Sequence, residues 1–390
     1  MSPIKKSPLL NDRNLYVIFG ITLVSVMGVS SIAPALPSIA RTFSVTNDQI
    51  GLLITFYTLP GIILTPILGV IADRYGRKRV LIPSLFFFGI AGTACAFATS
   101  FEQLLFLRAL QGMGSASLGA LNLTLIGDLY SGNDRATAMG YNGSVLSVGA
   151  AAYPAIGGAI AILGWFYPFY LALLAIPVGI FALLSLEAVS LQNKSSLNLY
   201  FNQIGSALKS GHVIGLFVSM FLTFIMLYGG YITYFTILLD ERFGLSSMMI
   251  GLLLASSSLV TAVTSAQLGK LTLRFSERTL IRTAAILYFI SFLMVPSISG
   301  IWGLLLPIGL FGFAQGINIA SILNMLAGYA KAEYRAAFLS INWVIMRVGQ
   351  ALGPYLLGLV YYYYNIDGTF YFAAGAGALF ILVSLTMIRK

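Results

Sequence analysis

Charge is what this sequence lacks most. Only 9% of its 390 residues are Asp, Glu, Lys or Arg, 58% are hydrophobic, and mean hydropathy is +0.90. A soluble domain carries about 25% charged residues, because its water-facing surface needs them. A chain this poor in charge along its whole length turns most of its surface to lipid. Cysteine is nearly absent as well. The single Cys95, inside an apolar run, excludes a disulfide framework or a Cys-based metal site. With one histidine, His212, and no grouping of nucleophile with base, an enzyme is not expected. No Gly-x-x-x-x-Gly-Lys-Ser/Thr run occurs, so ATP hydrolysis is not the energy source, and neither cofactor nor metal is expected.

What the chain has instead is long apolar runs. A bilayer core needs roughly 20 such residues per helix, and 390 residues with short turns hold about twelve. Stretches such as 15–40 and 171–186 are continuously apolar, without the alternation over about 10 residues that marks a barrel strand. The first lacks a small-residue cleavage site and is read as a retained helix. The predicted fold is an all-α membrane protein with twelve transmembrane helices in two pseudo-symmetric six-helix bundles. The longest polar connection, 189–211, contains Gln192, Asn193, Lys194, Ser195, Ser196 and Asn198. It serves as a linker between bundles 1–188 and 212–390.

An internal repeat supports that division. At an offset of 200, Ile50-Gly51-Leu52-Leu53 recurs as Ile250-Gly251-Leu252-Leu253, Arg135-Ala136 as Arg335-Ala336, Asn142 as Asn342, Gly149 as Gly349, Pro154 as Pro354 and Gly158 as Gly358. Apolar likeness alone does not put Gly, Pro, Arg and Asn in register. Six helices per half leave both halves in the same orientation, one of the known transporter designs. The net charge of +10 follows topology rather than a nucleic-acid partner. On the predicted topology 18 of the 22 Lys and Arg residues fall on one side, Arg41 and Arg242 on the other, and Arg108 and Arg347 within spans. This positive-inside bias predicts both termini in the cytoplasm and a multi-pass protein of the cell membrane.

The most specific local pattern joins the second and third spans: Gly69-Val70-Ile71-Ala72-Asp73-Arg74-Tyr75-Gly76-Arg77-Lys78-Arg79. Gly69 permits close helix approach, Gly76 a tight turn, and Asp73 can cap a neighbouring helix N-terminus. The loop resembles the signature of the major facilitator superfamily, with Ile71 in place of Leu. The likeness implies a conformational latch of Gly69, Asp73, Arg74, Gly76, Arg77 and Asp128. In the second half, Gly269 to Arg274 keeps the glycine and the arginine but has Leu273 for the carboxylate. Arg108 followed by Gln111-Gly112 resembles a second signature of that family. On its helix Arg108, Gly112, Ser115, Gly119 and Asn122 share one face. Gly149, Pro154, Gly157 and Gly158 are similar to the antiporter signature of 12-helix drug/proton antiporters, with Tyr153 where that family has glycine. Gly353-Pro354 is the better-kept pair in the second half. These residues are expected to pack helices closely.

One more absence bears on mechanism. All twelve acids lie at span ends or in loops, so no carboxylate sits at mid-membrane. What lies there is cationic and polar: Arg347, with Trp343 on its face, and Tyr57, Asn122, Asn142, Tyr228, Tyr231, Gln315, Asn318 and Asn342. Arg108, Arg347, Asn122, Asn142, Tyr57, Tyr231, Gln315 and Asn318 are the candidate substrate-binding or coupling residues. The resemblance implies a monomeric secondary transporter that exports drugs or metabolites by alternating access, with protons as the candidate coupling ion. The cations without embedded acids favour a second reading, a carrier for an anionic metabolite.

Overall fold

The computed structural model describes residues 9–186, 210–329 and 335–388. The predicted linker 189–211 lies outside them except for its last two residues. Ten helical spans run in chain order: α1 Arg13–Phe43, α2 Leu52–Tyr75, α3 Arg77–Phe97, α4 Phe101–Leu129, α5 Gly132–Ala161, α6 Tyr167–Ser185, α7 Gly211–Glu241, α8 Ser247–Ala266, α9 Glu277–Ser297 and α10 Ile301–Tyr329. The remaining helix, Arg335–Thr386, breaks at Asn365 (φ 56°, ψ −166°) into α11 (335–364) and α12 (366–386). The result is the expected all-α architecture, a protein that crosses the membrane many times with two helix bundles. Polar side chains start several helices. Asp12, Ser100, Ser246 and Ser276 each accept a hydrogen bond from a backbone N–H of the following first turn.

Inside the membrane a helix gains nothing by burying Leu against Leu, so close packing needs small residues. The contact between halves shows this in duplicate. On one side α5 crosses α8, and on the other α2 meets α11. A Cβ placed on Gly251 of α8 would lie 2.2 Å from the Pro154 carbonyl oxygen of α5, and one on Gly158 would lie 2.3 Å from that of Ser247. The repeat has a counterpart of each contact: a Cβ on Gly51 would lie 3.1 Å from the Pro354 carbonyl oxygen, and one on Gly358 would lie 2.5 Å from that of Asp48. Within each half the same symmetry reaches single hydrogen bonds. The Thr65 hydroxyl donates to the Ala116 carbonyl at 2.8 Å, and the Ser265 hydroxyl to that of Gly316 at 3.1 Å.

The halves are tied at the end opposite the basic loops. Arg41 pairs with Asp240 at 2.6 Å, and the Tyr234 hydroxyl reaches the carbonyls of Asn47 and Asp48 at 3.3 Å. Toward the basic end they part. Over 132–148 of α5, Ala138 and Asn142 alone are buried, and the rest of the circumference is open or half-open. The space between the bundles is therefore a vestibule open at the basic end.

Candidate substrate site between the halves

The vestibule ends at Arg347. This side chain projects from α11 across the division between halves. Its Nη2 donates to the Ser115 carbonyl of α4 at 3.3 Å and its Nη1 to Gln350 Oε1 at 3.3 Å. Gly61 of α2 makes room for it: a Cβ there would lie 3.1 Å from Arg347 Nε. Four ion contacts occur among the described residues, joining Arg41 to Asp240, Arg77 to Asp73 and Asp128, and Arg242 to Asp367; Arg347 takes part in none. A guanidinium has five N–H donors, and an unneutralised charge at this depth costs several kcal/mol. One turn nearer the basic end, the Trp343 ring reaches α4, 3.5 Å from where a Gly119 Cβ would be.

Arg108 sits differently. It is 1% exposed and lies inside the first half, where its Nε donates to the Leu53 carbonyl at 3.3 Å and its Nη1 to Gln111 Oε1 at 2.6 Å. The guanidinium carbon lies 4.2 Å from the Tyr57 ring centroid, a cation–π contact. Backbone contact between α2 and α4, where a Gly112 Cβ would come within 2.0 Å of the Tyr57 carbonyl, closes Arg108 off from the vestibule. The other polar candidates also turn into the bundles. Thr22 donates to Asn142 Oδ1 and accepts from Asn122, which joins α1, α4 and α5. Asn318 donates to the Thr223 hydroxyl at 2.8 Å, joining α10 to α7. Tyr288 donates to Gln315. Tyr231 stacks on Phe311 at 4.4 Å between centroids. Three amide oxygens, those of Asn122, Asn318 and Asn342, lack a hydrogen-bond partner among the described residues.

The packing glycines divide by partner. A Cβ on Gly157 would lie 1.9 Å from the Ser31 carbonyl of α1, and one on Gly149 would lie 3.1 Å from the Leu23 side chain. A Cβ on Gly353 would meet α7 at the Ile225 carbonyl, 2.9 Å away. There α7 is wound as a π-helix over Met226–Tyr234, a feature for which the Gly229-Gly230 pair is the sole sequence sign. At the basic end, Gly76 makes its turn at φ 103°, a region that favours glycine. Arg77 pairs with Asp73 and, at 3.1 Å, with Asp128, tying the ends of α2 and α4 to the start of α3. Arg74 is exposed, and Gly69 faces open space, since the halves are apart where it lies.

The profile of the Major Facilitator Superfamily matches residues 18–251 and again 216–390. The chain belongs to the Major Facilitator Superfamily. It is similar to the bacillibactin exporter of Bacillus subtilis (strain 168), 28% identical over 366 residues and covering 88% of each chain. It also resembles multidrug resistance protein 2 of the same organism, 27% identical over 381 residues, with 94% of this chain and 92% of that one covered. Among solved structures, the human organic anion transporter MFSD10 (TETRAN) superposes with a TM-score of 0.73 over 97% of this chain and 99% of that one, at 19% identity. A Major Facilitator member is a secondary transporter of small molecules across a bilayer, not an enzyme. Sequence reasoning placed Trp343 and Arg347 on one helix face. Their partners Gly119, Ser115 and Gly61 were beyond it, because the register between α11, α4 and α2 depends on how the two halves meet.

Proposed function

We propose that this protein exports small amphipathic organic anions across the cytoplasmic membrane by alternating access, as a monomer with both termini in the cytoplasm. Arg347 carries the reading: a cation without a carboxylate partner among the described residues, held at the closed end of a vestibule by two hydrogen bonds. An anion there completes its donor set and neutralises it. The positive-inside distribution supports the orientation, so the vestibule opens to the cytoplasm. The similar bacillibactin exporter and multidrug resistance protein support the outward direction. A cell interior at negative potential drives an anion outward with about 2.3 kcal/mol per charge per 100 mV, so export of this class needs no proton-carrying acid at mid-membrane.

Inside-out vesicles test this. With a lumen-positive potential and no pH gradient, 2-naphthoate accumulates in the lumen while tetraphenylphosphonium does not. Accumulation of the cation, driven by an acid lumen, overturns the reading in favour of a drug/proton antiporter.

The Asp73–Arg77–Asp128 network supports a latch that biases the two access states. With Asp73 about one-quarter exposed (28%) and Arg77 14% exposed, the pair contributes about 1 kcal/mol. Asp73→Asn is expected to slow transport roughly fivefold while the dissociation constant for 2-naphthoate stays unchanged. Equal loss of binding and transport would remove the latch role.

A further inference from the structure

We infer that Trp343 is a specificity-determining residue that selects planar aromatic members of the anion class. The inference rests on the proposal that Arg347 holds the anionic group.

Three observations carry it. Trp343 and Arg347 are four residues apart on α11, so their side chains share one face with about 6 Å between them. Trp343 reaches across to α4 at Gly119, the position where the facing helix offers no side chain. Finally, among the described residues the half-buried Trp343 makes no ring–ring contact, in contrast to the equally half-buried Trp165. Trp165 packs against Phe43 at 4.9 Å and also against Phe166 and Phe169. Tyr231 lies between Phe235 and Phe311. A half-buried indole at the inner end of a vestibule, with no aromatic partner among the described residues, is suited to stack on a flat ligand.

The geometry fixes what that partner looks like. A flat ring entering from the basic end meets the indole first and stacks on its face, while the indole edge keeps its contact at Gly119. An acidic group about one helical turn further along the ligand then reaches Arg347. Aryl carboxylates and phenolates meet both demands. An aliphatic acid of the same length meets the Arg347 demand alone, and a neutral or cationic arene the Trp343 demand alone.

Titration calorimetry of the purified full chain with 2-naphthoate, octanoate and 2-naphthylmethylammonium separates the two contacts. Wild type is expected to bind 2-naphthoate about fivefold more tightly than octanoate, the scale of one aromatic pair. Trp343→Ala is expected to erase that preference and leave octanoate binding in place, with Trp343→Phe restoring most of it. In a Trp165→Phe/Trp302→Phe background Trp343 is the one remaining tryptophan, and 2-naphthoate quenches its fluorescence while octanoate does not. Equal affinity for the two acids in wild type, or a preference that survives Trp343→Ala, overturns the role of Trp343 and leaves the anion reading standing. Tight binding of the naphthyl cation with no binding of either acid overturns the anion reading instead.

Discussion

Arg347→Ala is expected to lower affinity for organic anions roughly 100-fold, about 3 kcal/mol, the upper range for a hydrogen-bonded charge contact. The same change is expected to leave the empty protein at least as thermostable as wild type. The two effects have one cause. Without an anion the guanidinium rests on two neutral oxygens, Ser115 O and Gln350 Oε1, with no carboxylate among the described residues to offset its desolvation. Removing an uncompensated charge relieves a cost in the empty state and forfeits the gain in the loaded state. Arg347→Lys keeps the charge but loses the planar fork, so it is expected to recover part of the affinity. Calorimetric titration with 2-naphthoate and a melting curve of the same sample check both halves. A large loss of melting temperature with unchanged affinity assigns Arg347 to the scaffold.

The second large effect is expected at Gly251. Its Cβ in an alanine variant would lie 2.2 Å from the backbone oxygen of Pro154, so α8 cannot rest on α5 as it does here without a backbone shift. Overpacking of this kind costs about 3 kcal/mol. The cost falls on the state closed at the far end, which is the state that opens the vestibule. Gly251→Ala is therefore expected to shift the balance between access states by roughly 100-fold and to reduce transport on that scale, with the protein still folded and inserted. The repeat supplies an internal control. At Gly51 the corresponding distance to the Pro354 oxygen is 3.1 Å, within reach of a small adjustment, so Gly51→Ala is expected to cost a fewfold at most. Labelling of a Ser144→Cys probe on exposed α5, in a Cys95→Ser background, reports the vestibule. Access from the basic side falls in the Gly251 variant and persists in the Gly51 variant. Equal transport by both variants overturns this assignment of the crossing.

These two residues also show why legibility in the sequence was uneven. Gly251 and Gly51 stood out together because a repeat puts non-lipid-like residues in register, and the fold then placed both at the same kind of crossing. Arg108 and Arg347 read alike in sequence, as intramembrane arginines on polar helix faces. Tertiary structure separated them. Arg108 has Leu53, Gln111 and Tyr57 around it within one half, whereas Arg347 extends over the gap between halves to Ser115. The asparagines and tyrosines offered as a cavity lining, Asn122, Asn142, Asn318 and Tyr231, lie inside the bundles. Helix periodicity states which residues share a face, but not whether that face meets a neighbouring helix or an opening.

The sequence by itself determined the solvent, the helix count, the two-fold repeat and the superfamily. Each follows from composition or from local spacing, and the demand that every backbone N–H and C=O in lipid be satisfied within its own helix admits few alternatives. Tertiary structure decided which cation faces the vestibule, which glycines close the far end and what lies opposite Trp343. Those outcomes depend on the rotation of each helix about its axis and on the register between halves. In lipid, small contacts of shape set both, and no hydrophobic pattern along the chain encodes them.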